Sequence, residues 1–299
     1  MLVSICCITY NHALFIDQAL QGFLLQKTSF ETEIIIHDDA STDDTVTIIR
    51  NFAAKHNLPV ILKANKNNIG VSKNFYEALT HGKGKYIAIC EGDDYWIDPF
   101  KLQKQVDFLE AHPDYAICCH NAQILRVDDP DLLAFTNEEN DFSSAGFERL
   151  SKGEFMSTPT VVYRKACFDN FPARAIPYLN NYTLNLHNAL SGNIAYLPEV
   201  MSVYRVHKGG VWSMVPRINT LINHLPAYRF YIEYFGAKNH KVFKSHVAGM
   251  TKELMELAYQ QHAWTVFFRY LPIYVRYNGW QWSFFRPKIS GALRQTLKK

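Results

Sequence analysis

Apolar runs and stretches of helical spacing alternate through the first third of the chain, and a polar cluster closes each apolar run. Residues 2–9 (LVSICCIT) predict a strand buried on both faces. After a loop at Tyr10-Asn11-His12, residues 14–26 set Leu14, Ala19, Leu20, Phe23 and Leu24 at helical spacing. Residues 33–37, with three consecutive Ile, predict a second strand. Asp38-Asp39-Ala40-Ser41 predicts a turn, and Ser41 or Thr42 a cap for a helix running to about residue 57. Strands are predicted at 60–63 and 86–90, with a polar loop at 65–68 and a helix over 71–80 between them. This alternation predicts an α/β fold with a mostly parallel sheet wrapped by helices. Ligands of such sheets lie beyond the carboxyl ends of the strands, where the polar clusters fall.

The pattern changes after a helix predicted over 101–112. Residues 116–127 read as a strand and 128–146 as an acidic loop. Strands near 160–163 and 194–197 flank a helix near 182–190, and from about residue 218 the chain reads as helices to its end. The predicted organisation is therefore 1–110, 111–217 and a helical extension, 218–299.

The densest chemistry follows the fourth predicted strand, at Glu91-Gly92-Asp93-Asp94. In extended chain, residues two apart share a face. Glu91 and Asp93 therefore point one way, and Asp94, a second candidate catalytic group, the other. Clustered carboxylates repel unless a cation neutralises them, and hard oxygen ligands suit Mg²⁺ or Mn²⁺. Read alone, the cluster fits either an acidic loop or a cation site.

The other strand ends carry weaker signals of the same kind. Thr9, Tyr10 and Asn11 could hold and stack on a base, although a Tyr at a strand end also serves packing. In DDASTDDT (38–45), Asp39 could accept the N3–H of a uracil, or the acids could simply favour the turn and the next helix N-terminus. Ser41 lies in the same string. In NIGVSKN (68–74), a candidate donor-binding string that opens with Asn68, Gly70 permits close backbone approach and Lys73 could reach a diphosphate; a glycine turn before a helix reads equally well.

Charge and cysteine usage refine this picture. The net charge of +3 conceals a basic, aromatic arm: residues 264–299 hold seven Lys/Arg and no Asp or Glu. Such a segment suits an anionic membrane surface or a helical cap with a basic outer face. Nothing else in the chain favours nucleic acid. Six cysteines without a CxxC pair predict free thiols in a reducing cytosol. With no leader pattern and no apolar run near the ~20 residues of a membrane span, the expected location is cytoplasmic, with peripheral attachment to the inner membrane face as the variant the arm allows.

Together, ITYN, DDASTDDT, NIGVSKN and EGDDYWIDPFKLQKQVDFLE, in that order, resemble the nucleotide-binding half of family 2 glycosyltransferases with the GT-A fold. The resemblance is strong over about 1–110. It implies a nucleoside diphosphate sugar donor, usually a UDP-sugar, and a divalent ion, Mn²⁺ or Mg²⁺, held by a DxD-type element. By position it implies Thr9, Tyr10 and Asp39 as uridine contacts and Asp93 as the metal ligand. Glu91, in place of the usual first Asp, would sit on the ribose, on water or beside the ion. The later string YRVHKGGVWS extends the likeness, placing Arg205 at the donor, His207 at the metal or a phosphate oxygen, and Gly209-Gly210 in a lid beside Trp212 and Ser213.

The resemblance further implies single-displacement transfer with inversion to a saccharide or lipid-linked saccharide, as in bacterial surface polysaccharide synthesis. Relatives place a general-base Asp where this chain has Asn181. An amide is no base, which leaves three alternatives: another acid such as Asp169 or Glu199 lies near the acceptor, Asn181 has replaced the base by substitution, or the chain is a non-catalytic sugar-nucleotide-binding protein. A nucleotidyltransferase would want a Gly-rich basic loop after the first strand, and TYNHALF lacks one.

Overall fold

The structure, a computed structural model, describes residues 2–137, 143–210, 215–236 and 239–280. The chain divides into two compact units, one ending at His207 and one beginning at Lys208.

The first unit is built on a mixed sheet. β1 (Leu2–Thr9) pairs in parallel with β2 (Glu31–Asp38) and β4 (Tyr86–Ile89), and β2 with β3 (Val60–Ala64). Val3, Ile5 and Cys7 face one buried layer; Cys6, on the other face, donates its thiol to the Ala78 carbonyl. Both faces are covered, as an unbroken apolar run requires. Helices α1 (Ile16–Leu24), α2 (Thr45–His56), α3 (Val71–His81) and α4 (Lys101–Ala111) supply the cover. Beyond β4 the sheet continues through β9 (Val162–Arg164), β6 (Tyr115–Arg126) and β10 (Asn193–Val206) to β5 (Tyr95–Trp96). β6 and β10 are mutually parallel, while β9 runs antiparallel to both β4 and β6.

Three local expectations are corrected. Residues 128–146 are not simply a loop: β7 (Asp129–Phe135) folds back on β6 as a hairpin, and β8 (Ser144–Ala145) pairs with β10. The strand expected at 194–197 runs on to Val206 through register shifts around Leu197–Val200. That extension carries the chain to the Arg205–His207 segment. Neither Ser41 nor Thr42 caps α2, which begins at Thr45; the Ser41 hydroxyl bonds Asp38 instead.

Short elements close the unit: α5 (Phe147–Lys152), a 3₁₀ turn at Thr158–Thr160, α6 (Lys165–Phe168) and α7 (Asn181–Asn188). All six cysteines are unpaired, and five are buried.

In the second unit α9 (His240–Gln260) packs against α8 (Arg217–Tyr234) and α10 (Trp264–Asn278). Arg217 and Glu253 form a two-point ion pair at 2.6 and 2.8 Å. The first part of the basic arm is thus a packed helix, with Phe267 and Tyr274 buried against Met255 and Ala258. Residues 281–299 of the arm, and Trp212 and Ser213 of the expected lid, lie outside the described residues. Among the described residues no helix is long and apolar enough to cross a membrane.

Candidate functional site

The acidic turn leaves β4 and crosses the carboxyl end of β1, where the Gly92 N–H donates to the Ile8 carbonyl at 3.0 Å. A Cβ at Gly92 would lie 2.5 Å from Thr9 Cγ2 and 2.9 Å from His12 Nδ1, so only glycine lets the turn approach so closely. The segment is not extended as expected but turns, with the Asp94 N–H donating to the Glu91 carbonyl at 3.1 Å, and the three acids diverge for that reason. Asp94 is buried, and its Oδ1 accepts the Arg205 N–H at 2.8 Å. Asp93 faces two imidazoles: its Oδ2 lies 3.1 Å from His207 Nε2 and 3.7 Å from His12 Nε2. Glu91 is half-buried and bonded to Thr158.

Electrostatics separates Glu91 from Asp93. Burial, and then the charge of Asp93, pushes the Glu91 carboxyl up to about 8. Burial also works on Asp93, but the His207 hydrogen bond and the nearby His12 hold it below its ordinary value. Asp93 is therefore the charged member of the pair. Its Oδ1 is buried without a partner, a costly state for a carboxylate oxygen that a bound cation would relieve. Carboxylate oxygen and imidazole nitrogen are ordinary ligands for a divalent ion, so the donor set fits one.

Arg205, expected at the donor, is buried. Its guanidinium donates to the Asp93 carbonyl and to Gln18 Oε1, and lies over the rings of Phe15 and Tyr95 at 5.1 and 4.5 Å. With the Asp94–Arg205 bond, this staples the acidic turn to the end of β10. Arg205 and Asp94 thus fix where Asp93 and His207 meet.

Beside this lies the expected base-binding cluster. The Thr9 hydroxyl donates to Asp38 at 2.8 Å, and the Ser41 N–H donates to the same carboxylate at 2.9 Å. Asn11, in left-handed backbone at φ 56°, accepts the Thr42 N–H and donates its own N–H to Ser41 Oγ. Tyr10 is 44% exposed, its ring open to stacking. Asp39 is buried and accepts from the Ile69 N–H (2.8 Å), the Gly70 N–H (3.0 Å) and the Asn65 amide (3.0 Å), tying the 68–70 loop to the end of β2. Asn68 also accepts from the Gly70 N–H, and Gly70 needs its φ of 88°. Lys73 is exposed on α3.

Asn181 opens α7. Its Nδ2 donates to the Met156 carbonyl at 3.0 Å, and its Oδ1 is buried without a partner. On the same residue, Glu154 Oε1 accepts the Met156 N–H at 3.2 Å. The 154–158 segment thus links Glu154 to Thr158 and so to Glu91. Sequence reasoning missed His12, Gln18, Glu154 and Thr158. His12 alone gave a signal, as a His directly after the first strand-end cluster.

Residues 4–171 match the family model described as Glycosyl transferase family 2. The uncharacterized protein Rv1520 of Mycobacterium tuberculosis is 39% identical over 219 residues, covering 70% of this chain and 60% of that protein. This chain therefore spans about three fifths of that relative. TarS 1-349 of S. aureus, solved with UDP-GlcNAc, matches the fold with a TM-score of 0.58 at 15% identity, over 93% of this chain and 92% of that one. The mannosyltransferase PcManGT of Pyrobaculum calidifontis, solved with GDP-Man and Mn2+, matches with a TM-score of 0.55 at 16% identity, over 97% and 86%.

Proposed function

This chain belongs to glycosyl transferase family 2, and on that premise we propose that it moves a sugar from a nucleoside diphosphate sugar, a UDP-sugar by preference, to a saccharide hydroxyl. The carrying observation is Asp93, held below its ordinary carboxylate range between His12 and His207, with the preceding Gly92 set close against Thr9. TarS bound to UDP-GlcNAc and PcManGT bound to GDP-Man and Mn2+ support the donor class and the ion by likeness of fold. Residues 1–110 take the donor: Tyr10 stacks on the base, the Asp38–Asp39 turn and Asn68–Gly70 loop line it, and Lys73 meets a phosphate. Residues 111–217 take the acceptor.

Asp93 and His207 would hold a divalent ion, Mn²⁺ or Mg²⁺, which when bound offsets charge on the departing diphosphate. The acceptor hydroxyl attacks the anomeric carbon in line, so configuration inverts. Its proton goes to a carboxylate. Asn181 has no basic atom, and we assign this role to Glu154, which shares Met156 with it. Glu154→Gln should lower kcat by about 10²-fold with little change in donor KM, the lower range for a general base. Asn181→Asp should not lower it. The same neutral amide favours a second reading, a sugar-nucleotide-binding protein without turnover. A panel of UDP-sugars and saccharide acceptors with Mn²⁺ separates the two: release of UDP with a new glycoside supports transfer. Tight binding with no product, in the native protein and in Asn181→Asp, supports the second.

The acceptor we propose is lipid-linked, with the basic arm meeting the inner membrane face in surface polysaccharide synthesis. The five Lys/Arg of 281–299 carry that role. Deleting 281–299 should reduce sedimentation with anionic vesicles at low salt and leave transfer to a soluble acceptor intact. Equal sedimentation of both forms would remove the membrane from the account.

A further inference from the structure

His12 is the side chain at this site that sugar transfer leaves without a role. Its backbone N–H is fixed by Thr45 Oγ1 at 2.8 Å. Its side chain is 13% exposed, and Nδ1 is buried without a partner. The ring stands edge-on to His207, with centroids 6.4 Å apart and planes at 83°. Both imidazoles present Nε2 to the same oxygen, Asp93 Oδ2. At 3.7 Å the His12 contact is too long for a hydrogen bond. The missing Cβ of Gly92 keeps the space for this ring, while the other oxygen of Asp93 stays buried and unpaired.

The hydrogen-bonded spacing is also compatible with coordination of one ion. Two ligands each about 2.1 Å from one ion stand about 3.0 Å apart at a right angle and about 3.4 Å apart at the tetrahedral angle. The Asp93–His207 separation of 3.1 Å already has this value; the Asp93–His12 separation of 3.7 Å exceeds it by a few tenths. Among the described residues no three such side chains yet close on one point, so His12 would complete the site by a small inward rotation. We propose, resting on the donor-site reading above, that His12 is a third protein ligand of the divalent ion, making a site of two imidazoles and one carboxylate. Imidazole ligands favour transition-metal ions, so this site should take Co²⁺ and Mn²⁺ well ahead of Mg²⁺.

The test counts nitrogens. Purified full-length protein is loaded with Mn²⁺ in the presence of UDP and studied by electron spin-echo envelope modulation, with affinities from Mn²⁺ electron paramagnetic resonance titration. The native protein should show two imidazole nitrogens on Mn²⁺, and His12→Ala and His207→Ala one each. The Mn²⁺ dissociation constant of His12→Ala should rise by about 10- to 100-fold or more, since even outer-sphere partners change affinity that much, and Mg²⁺ should displace Mn²⁺ from this variant at lower concentration than from the native protein. His12→Gln, which fills the space without an imidazole, gives the same count should the alanine variant fold poorly. One nitrogen in the native protein, or two persisting in His12→Ala and His12→Gln, would overturn the inference alone. No bound Mn²⁺ in the native protein would overturn the donor-site reading together with it.

Discussion

Asp93→Asn is expected to lose Mn²⁺-dependent UDP binding and at least about 10³-fold of kcat/KM, with its fold intact. The amide matches the carboxylate in shape, and the staple from Arg205 uses the Asp93 backbone carbonyl, which the substitution keeps. What disappears is the charge. Stabilisation of a departing diphosphate by a bound ion is worth several kcal/mol, and about 4 kcal/mol corresponds to 10³ in rate. The substitution also removes an anion that helps to push the Glu91 carboxyl up to about 8. A raised folded-state value means that the folded protein holds more protons than the unfolded chain between the ordinary carboxyl range and about 8. Stability falls as pH rises through that window. In Asp93→Asn this fall should shrink, while the stability that the depressed Asp93 carboxyl contributes above the ordinary carboxyl range is lost. Calorimetric titration with UDP, with and without Mn²⁺, reads the first effect, and thermal melts across pH 5–8 read the second. Unchanged UDP affinity with Mn²⁺ would leave Asp93 without its metal role.

How the fold was read follows from what neighbouring residues share. β1, β2 and β4 were legible because strands buried on both faces need unbroken apolar runs, and LVSICCIT, EIIIH and YIAIC supply them. β7 escaped because its residues are mostly exposed; a strand paired along one edge and open to water has no apolar alternation to announce it. The divergence of Asp93 from Asp94 comes from a turn, closed by the Asp94 N–H on the Glu91 carbonyl, and not from the strand periodicity that the apolar run suggested. The role of Arg205 was hidden because its partners Gln18 and Asp93 are near only in space. The pairing of Glu154 with Asn181 through Met156 was hidden for the same reason. Residue types indicated what chemistry was present; the sheet's crossovers decided which groups meet.

The acidic turn also rests on a buried cation, which leads to a stability effect about as large. Lys101 is fully buried, with Nζ 2.8 Å from Gln105 Oε1 and 4.3 Å from the Trp96 ring centroid. Gln105 donates in turn to the Cys118 and Thr160 carbonyls, and Trp96 Nε1 donates to Pro159. The cluster thus carries the 3₁₀ turn that presents Thr158 to Glu91. Burial lowers the Lys101 ammonium to about 7 from an ordinary 10.5. Between those values the unfolded chain binds the proton and the folded protein does not, so stability rises with pH across the window. The full span is on the order of 5 kcal/mol at about 1.4 kcal/mol per pH unit. Lys101→Met keeps the stem and removes the ammonium. It should flatten this rise and, at pH 6.5, gain roughly 2–4 kcal/mol after the loss of about 1–3 kcal/mol for the stranded Gln105 oxygen. Urea denaturation of both proteins from pH 6.5 to 9.5 measures this directly, because contributions from Glu91 and other groups cancel in the difference. Parallel stability profiles for the two proteins would mean that the ammonium is already solvated in the native state, and the Trp96–Gln105 cluster would then be an ordinary packed contact.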